Sequence, residues 1–206
     1  MLHPTPILKE SPSQTAGPYV HIGMTPNFCD ITGVTDSDLG VNMLTPGTVG
    51  ERIIITGRVI DGAGAPVGDA VLEIWQADAD GAFVAPMSPN SNSVPAFTGW
   101  GRQPTQPDGT YSFETIKPGR VDGPDGKPMA PHVSLWIVAR GINIGLQTRL
   151  YFADEAEANA QDFVLNKVMD PRRRETLIAR KEGGATPRYV LDIHLQGDKE
   201  TVFFDM

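Results

Sequence analysis

The sequence predicts an all-β protein: a β-sandwich with a long irregular N-terminal arm and a short helical insertion. Short apolar runs are separated by turn residues throughout, and the 206 residues include 22 Gly and 18 Pro. Several runs alternate apolar and polar side chains with period two, which is typical of strands that bury one face. A chain of this length can form one domain of the larger all-β kind with a sizeable core.

The first 50 residues predict an arm without long regular elements. Prolines recur from Pro4 to Pro46, and each one fixes φ and removes a backbone donor. Strand signals begin only at Arg52. We therefore divide the chain into residues 1–50, a proline-rich arm expected to be ordered by packing on a partner chain, and residues 51–206, the sandwich.

The first strands of the sandwich are predicted on either side of a turn. Residues 52–55 and 70–75 are apolar runs, and Asp61-Gly62-Ala63-Gly64 between them has the composition of a tight turn. The pattern predicts a hairpin formed by these two strands. Residues 84–108 are rich in Pro, Asn, Ser and Gly and predict a long loop, after which residues 111–115 alternate as a strand.

The second half of the chain predicts the centre of the sheet and the helical insertion. The near-continuous apolar run 133–139 predicts a central strand covered on both faces, and residues 146–152 and 189–195 alternate as further strands. After residue 152, the capping-box pattern Asp154–Glu157 predicts a helix that Asp154 caps. Asp170-Pro171 predicts the start of a second short helix.

Charge and cysteine content disfavour several function classes. The formal net charge of −8 and the pI of about 4.9 argue against a nucleic-acid or anionic-membrane surface. No apolar run approaches the roughly 18 residues of a membrane helix, and residues 1–10 lack the pattern of a secretory signal. Cys29 is the single cysteine, so no internal disulfide can form. These features favour a cytoplasmic location.

Several short motifs of the sequence resemble those of the intradiol aromatic-ring dioxygenases. The motifs are Ser11–Tyr19, Glu73–Asp78, Ile116–Val121, Ala130–Leu135, Ala139–Ile144 and Glu200–Asp205. Each motif alone is weakly specific, but their number and order, from Ser11 to the C-terminus, identify the chain as a member of this family. The resemblance implies the family's β-sandwich fold. It also implies chemistry in which a non-haem Fe³⁺, held by two Tyr and two His, supports ring opening by O2.

The resemblance further implies that this chain has lost three of the four iron ligands. The family's two tyrosines fall on Phe83 and Val121, and its second histidine falls on Ser134. None of these side chains supplies the phenolate or imidazole that ferric iron favours. The first histidine is kept as His132, which from the residues alone is more simply a buried, hydrogen-bonded strand residue. The resemblance therefore implies that this chain itself binds no metal.

Two more positions differ from the family's pattern around the metal. Met129 stands where the family has an Arg thought to assist catalysis, and Arg149 stands where it has a Gln. A guanidinium at this place would put a fixed positive charge where a cation would sit, and it would oppose metal binding. The three tryptophans, Trp75, Trp100 and Trp136, are interpreted as core or interface residues rather than as a binding platform.

What remains for this chain, by resemblance, is to complete the active site of another chain. In family members built from two chain types, a β chain holds the iron, and an α chain brings its arm and one Arg to the substrate. These residues correspond to Arg140, Thr15, Gly17, Pro18 and Tyr19. A guanidinium is a natural partner for a substrate carboxylate. From the residues alone, Arg140 could also be a surface residue at a turn, and Gly17-Pro18 only a turn.

The activity implied by the resemblance is that of an αβ complex. With its β chain it would open the ring of protocatechuate (3,4-dihydroxybenzoate) with O2, giving 3-carboxy-cis,cis-muconate in the β-ketoadipate pathway of aromatic catabolism. A higher-order αβ oligomer is expected. One alternative is a catalytically silent β-sandwich with a structural or binding role. Another is a metal enzyme whose ligands lie outside the family's positions.

Overall fold

A computed structural model describes residues 14–84, 96–124, 126–143 and 145–205, and strands dominate these ranges. The strands are β1 (Arg52–Ile60), β2 (Val71–Trp75), β3 (Trp100–Pro104), β4 (Thr110–Ile116), β5 (His132–Val138), β6 (Leu146–Phe152), β7 (Ile178–Glu182), β8 (Arg188–Val190) and β9 (Ile193–His194). The helices are α1 (Val20–Met24), α2 (Ala156–Asn159) and α3 (Pro171–Glu175), with a 3₁₀ turn at Leu165–Lys167. None of the helices in these ranges is long and apolar enough to cross a membrane.

The strands form two layers of a sandwich. One layer has the order β3-β2-β5-β6 with antiparallel neighbours, and the other has the order β8-β1-β4 with β9 beside β1. Strand β7 joins the layers, because it pairs in parallel with β6 and antiparallel with β8. The prediction of an all-β sandwich is confirmed, and the short helices α2 and α3 follow β6 as the sequence predicted.

The core lies between the two layers and draws on both. Ile55 of β1, Leu72 of β2, Phe113 of β4, Leu135 of β5 and Leu150 of β6 are all buried in one cluster. These side chains lie on the inward face because alternate residues of a strand point to opposite faces. Burying each of them is worth about 1.5–3 kcal/mol. The core therefore accounts for the pairing of the layers.

The segment before β1 also contributes to this core. Met43 is buried in the same cluster, and Leu44 forms an isolated bridge with Phe97. A Cβ on Gly101 would lie only 2.6 Å from the Met43 sulfur, so a larger residue there would force the Met43 side chain to shift. The last part of residues 1–50 is thus joined to the sandwich by side-chain packing.

Strand β5 is central in its layer, as predicted. It pairs with β2 on one side and with β6 on the other. Its inward residues Val133, Leu135 and Ile137 are buried in the core. Its outward residues include His132 and Ser134, which therefore share the outer face of the layer. This strand places the two family positions for histidine side by side.

The predicted hairpin between the first two strands is wrong. Strand β1 pairs with β4, β8 and β9, whereas β2 pairs with β3 and β5, so the two strands lie in different layers. The turn Asp61–Gly64 does exist, and the Asp61 carboxylate accepts hydrogen bonds from the backbone N–H groups of Ala63 and Ala65. It closes a short antiparallel bridge between Ile60 and Pro66, after which the chain passes to the other layer instead of pairing β1 with β2.

The prediction of a long loop over residues 84–108 is also partly wrong, because β3 lies within it. The sequence of β3, Trp-Gly-Arg-Gln-Pro, has no apolar alternation, and the strand exists because its whole length pairs with β2. Residues 85–95 of this loop lie outside the described residues, as do Ser11–Ser13 of the first resemblance motif and Ile144 of the fifth.

Candidate functional site

The arm and the Arg140 turn, which the sequence predicted as substrate contacts, lie together in the structure. The hydroxyl of Thr15 accepts a hydrogen bond of 2.8 Å from the backbone N–H of Gly141. The backbone N–H of Ala16 donates to the carbonyl of Ile142 at 3.3 Å. Two successive residues of the arm are therefore anchored on the turn that follows β5, although 125 residues separate them from it in the sequence.

The turn itself presents Arg140 outwards. Gly141 has φ of +89°, a left-handed conformation that glycine adopts without strain, and the N–H of Ile142 donates to the carbonyl of Ala139 at 3.1 Å. The Arg140 side chain is 64% exposed, and its Nη2 lies 2.8 Å from Oδ2 of Asp69. One carboxylate contacts one terminal nitrogen of this exposed guanidinium, so its other N–H donors can bind a second anion.

A cleft of about 430 Å³ lies against this turn. Arg140, Gly141 and Ile142 line one part of it, and the turn at Asp61 and the segment near Leu195 line the rest. The cleft is large enough for a small aromatic acid and has one arginine at its edge. The Arg140 side chain, which the sequence predicted to contact substrate, therefore borders an open cleft.

The remaining arm residues lead from the turn into α1. Gly17 has φ of +62°, and a Cβ built on it would meet no neighbouring atom, so the glycine serves the backbone turn rather than a close contact within this chain. Pro18 is exposed, and Tyr19, at the N-terminus of α1, is 78% exposed. In this chain alone, Pro18 and Tyr19 present their side chains outwards, and the predicted roles of these arm residues remain predictions.

The two positions where the family has tyrosine lie on neighbouring loops. The backbone N–H of Gly119 donates to the carbonyl of Asp78, so the loop before Val121 lies against the loop before Phe83. The N–H of Met129 donates to the carbonyl of Val121 at 2.7 Å and brings Val121 back towards β5. The Phe83 ring is 53% exposed. The loops that carry these two positions therefore lie against each other, and Phe83 and Val121 supply no phenolate.

His132 is buried at the start of β5. Its Nδ1 lies 2.8 Å from the Ala130 carbonyl oxygen. Because a carbonyl can only accept, Nδ1 carries the proton and Nε2 has the free lone pair. Burial, and then the nearby Arg149 guanidinium, hold the pKa of His132 below its usual value. The imidazole is therefore neutral near pH 7.

Arg149 lies directly across from Ser134 in the β5–β6 ladder, and Tyr151 lies across from His132. The Tyr151 hydroxyl donates to Oδ1 of Asp162 at 3.0 Å, and Arg149 interacts with the Tyr151 side chain. Burial raises the pKa of Tyr151 above its usual range, and Asp162 adds to this effect. The sequence analysis did not identify Tyr151 and Asp162, since only the fold places them at this position.

The residues at this position do not fit ferric iron. Across the described ranges, no group of three or more His, Cys, Asp or Glu side chains could hold a metal ion. At the family's ligand positions one imidazole remains, beside a guanidinium. Fe³⁺ favours several anionic or imidazole ligands, and a permanent cation next to the single imidazole repels it.

All three tryptophans of the chain line one cleft on the outer face of this layer. The cleft has a volume of about 520 Å³, and its wall includes Ser134. Trp75 is 52% exposed, and none of the three rings belongs to the buried core. Within the cleft the charges of Arg102 and Glu73 are paired at 2.7 Å. The interpretation of these tryptophans as core residues is wrong, and their interpretation as interface residues stays a prediction.

The predicted cap role of Asp154 is wrong. Helix α2 begins after Glu155 and has no side-chain cap. The predicted helix start at Asp170-Pro171 is confirmed, and there the Asp170 carboxylate accepts a hydrogen bond from the Arg172 N–H. Asp154 Oδ2 instead accepts from Lys117 at 3.1 Å, Lys181 at 2.8 Å and the Tyr189 hydroxyl at 2.9 Å. Partial burial opposes ionisation, but these hydrogen bonds prevail and lower the pKa of Asp154 to about 2.

Known proteins resemble this chain over nearly its whole length. Residues 24–197 match the model of the dioxygenase family. The chain is 47% identical over 204 residues to the protocatechuate 3,4-dioxygenase alpha chain of Pseudomonas putida, which covers 98% of this chain and 99% of that one. It is 34% identical over 184 residues to the protocatechuate 3,4-dioxygenase beta chain of Burkholderia cepacia, covering 82% of this chain and 75% of that one.

A solved structure shows the same fold. The dioxygenase domain of a dioxygenase–carbohydrate-binding protein fusion from Streptomyces sp. SirexAA-E superimposes with a TM-score of 0.57 at 26% identity. The match covers 79% of this chain and 88% of that one. The similarity of sequence and the similarity of fold therefore point to the same group of proteins.

Proposed function

This chain belongs to the intradiol dioxygenase family, and from that membership we propose that it serves as the α chain of a protocatechuate 3,4-dioxygenase. With a β chain it would cleave protocatechuate between its two hydroxylated carbons, using O2, to 3-carboxy-cis,cis-muconate. The observation that carries the proposal is the match to a relative of this name over 98% of the chain. The β-chain relative supports a two-chain enzyme, because the two chain types are themselves homologous.

We propose that the iron lies on the β chain. The family depends on non-haem Fe³⁺, but the side chains at this chain's ligand positions are Phe83, Val121, His132 and Ser134, of which only one can coordinate iron. The ring-opening chemistry is therefore assigned to the partner. What this chain contributes is shape and charge at the edge of the partner's site, together with support for assembly.

The substrate-binding role is assigned to Arg140 and to the arm residues Thr15, Gly17, Pro18 and Tyr19. Arg140 is exposed, and among the described residues Asp69 is its one salt-bridge partner. Thr15 is hydrogen-bonded to the same turn, so the start of the described arm and the Arg140 guanidinium lie on the same side of the chain. In the complex the guanidinium would bind the protocatechuate carboxylate, and the backbone around Gly17-Pro18 would form a rigid wall of the pocket. We propose that residues 1–50 pack on the partner, apart from Met43 and Leu44, which pack on this chain's own core.

Exposed aromatic side chains support the proposed assembly. Tyr19, Trp75 and Phe83 are each more than half exposed. Aromatic residues are enriched at protein interfaces, where they bury a large area at a small entropic cost. A monomer would gain nothing from exposing three such rings, whereas an αβ complex of higher order would bury them.

The proposal is tested by producing this chain with and without the β chain from the same source. The pair should co-purify, contain iron, and consume O2 with protocatechuate as substrate. This chain alone should do none of these. A chain that cleaves protocatechuate without a partner would contradict the proposal, and so would a pair that does not associate.

A further inference from the structure

We infer that Arg149 excludes metal ions from the degenerate iron position of this chain, because its guanidinium lies next to the place where a metal cation would otherwise bind. The loss of three ligands is then only part of the reason why the chain is free of metal. The inference rests on the proposed function and deepens it. In a two-chain enzyme, iron bound at a second, incomplete site would not catalyse the reaction and could react with O2 unproductively. Its test needs this chain alone.

The remaining histidine is still oriented as a metal ligand. The Ala130 carbonyl accepts the Nδ1 proton of His132 at 2.8 Å, which leaves the Nε2 lone pair free. Metal-binding histidines typically have their second nitrogen fixed in this way by a carbonyl or carboxylate. The orientation of the imidazole therefore does not explain the absence of a metal site.

The ladder places Arg149 beside this imidazole. His132 and Ser134 point to the same face of β5, and Arg149 lies directly across from Ser134 on β6. The guanidinium is close enough to His132 to act on it electrostatically. A cation held by imidazoles at positions 132 and 134 would therefore lie next to a permanent positive charge.

Within the described residues, this charge is not cancelled by a salt bridge. Nε and Nη1 of Arg149 are buried and have no hydrogen-bond acceptor there. The Asp162 carboxylate accepts four hydrogen bonds, from Ala130, Tyr151, Val164 and Leu165, and none from Arg149. Its negative charge also acts on His132 and opposes only part of the effect of Arg149. A fixed unit charge a few ångströms from a divalent cation in a partly buried site weakens binding on the order of a hundredfold or more.

The experiment restores the second histidine and then removes the charge. Full-length chains carrying Ser134→His alone, or Ser134→His with Arg149→Gln, are titrated with Co²⁺. Binding is followed by calorimetry and by the visible absorption of the bound metal. Two imidazoles at i and i+2 on one strand face can share a metal. The double variant should bind one Co²⁺ per chain, on the order of a hundredfold tighter than Ser134→His alone.

Matched controls separate the local charge from general effects. Arg180 is exposed on β7, so Ser134→His with Arg180→Gln removes the same charge elsewhere and should bind Co²⁺ no better than Ser134→His alone. Circular dichroism checks folding, and Arg149→Met replaces Arg149→Gln if that variant unfolds. Equal affinity with and without Arg149, or no binding by a folded double variant, would overturn the inference. Neither result would affect the proposed activity of the αβ pair, which is measured separately.

Discussion

Arg140 is the residue through which this chain is expected to act on substrate. Its side chain projects from a glycine-containing turn, and Asp69 holds one end of the guanidinium while the rest is exposed. An arginine in this arrangement is charged at every physiological pH and offers a planar pair of donors to a carboxylate. Its contribution can therefore be measured by comparing substrates with and without that group.

We predict that Arg140→Ala in the αβ complex weakens protocatechuate binding. A charge-assisted hydrogen bond is worth about 1.5–3 kcal/mol, which corresponds to roughly ten- to hundredfold in apparent affinity. Arg140→Lys should recover only part of the loss, because an ammonium keeps the charge but not the planar donors. Steady-state kinetics with protocatechuate measure the effect, and iron content should stay constant.

Catechol, which has no carboxylate, is the control substrate for this prediction, and Arg180→Ala, at an arginine 69% exposed on β7, is the control variant. Arg140→Ala should affect catechol much less than protocatechuate. Equal losses for both substrates would indicate that Arg140 supports the pocket structurally. If neither substrate were affected, Arg140 would not belong to the site.

Asp154 is a residue whose role only the structure revealed. It joins Lys117, Lys181 and Tyr189 through one carboxylate oxygen, so it ties β7, β8 and the loop after β4 together. A group whose pKa is lowered in the folded state stabilises the fold only while it is ionised. The stabilisation is present above the carboxyl pKa of the unfolded chain, about 3.9, and is lost as the pH falls through the folded-state value.

We predict that Asp154→Asn lowers the free energy of unfolding by about 1 kcal/mol at neutral pH, an amount already reduced for solvent screening of an exposed group. The difference from wild type should shrink as the pH falls from about 4 towards the folded-state pKa of about 2. Urea unfolding of the full chain at several pH values measures it. Glu157→Gln, at an exposed helix residue, is the control and should show no such pH dependence.

At the scale of elements, the arm is joined to the sandwich at one identifiable place. Thr15 and Ala16 bond to the turn after β5, while α1 packs beside β2 and Met24 reaches the cleft of the three tryptophans. The arm has few apolar contacts before Met43, so the fold of the sandwich should not depend on its first residues. Its purpose is expected to be at the partner's site.

We predict that deleting residues 1–18 impairs turnover of the αβ complex far more than it impairs folding of this chain. Thr15→Ala is the sharper variant, because it removes only the hydroxyl that accepts from Gly141. It should reduce turnover several-fold while the unfolding curve of the chain changes by less than about 1 kcal/mol. Thr15→Ser, which keeps the hydroxyl, should behave like wild type. Unchanged turnover of an intact complex after the deletion would rule out a role for the arm in the pocket.

The elements themselves differ in how well a sequence reveals them. Strand β5 was predicted because its apolar run is long and uninterrupted. Strands β3 and β7 were missed, since the apolar alternation is absent in Trp100–Pro104 and ends after Ala179 in Ile178–Glu182. Both exist because a neighbouring strand supplies their hydrogen bonds. Edge and bridging strands of this kind are specified by their partners more than by their own residues.

At the scale of the whole molecule, the chain has a dioxygenase fold, and the side chains that by resemblance match the family's iron ligands do not suit ferric iron. The loops that would carry two tyrosines still lie against each other, and β5 still presents two neighbouring positions on one face. The strands that carry these positions also build the hydrophobic core, so the fold does not depend on bound metal. A chain of this kind can therefore keep its shape for assembly after losing its ligands.

We predict that the chain purified without its partner carries no stoichiometric ferric iron and lacks the colour of a phenolate-to-iron charge-transfer band. The reason is that Phe83 and Val121 supply no phenolate and Ser134 no imidazole. Metal analysis and visible absorption of the isolated chain measure this, with the αβ complex as the positive control. One tightly held iron per isolated chain would contradict the prediction.

The sequence by itself determined the fold class and the position of the central strand, and it supplied the prediction that three iron ligands are missing. These are local properties, because strand periodicity and the identity of a side chain at a motif position are read from neighbouring residues. Only the tertiary structure decided that β1 and β2 lie in different layers, that Asp154 binds two lysines, and that Thr15 bonds to Gly141. These contacts join residues far apart in the chain, and periodicity tells which face a side chain occupies but not which residue it meets.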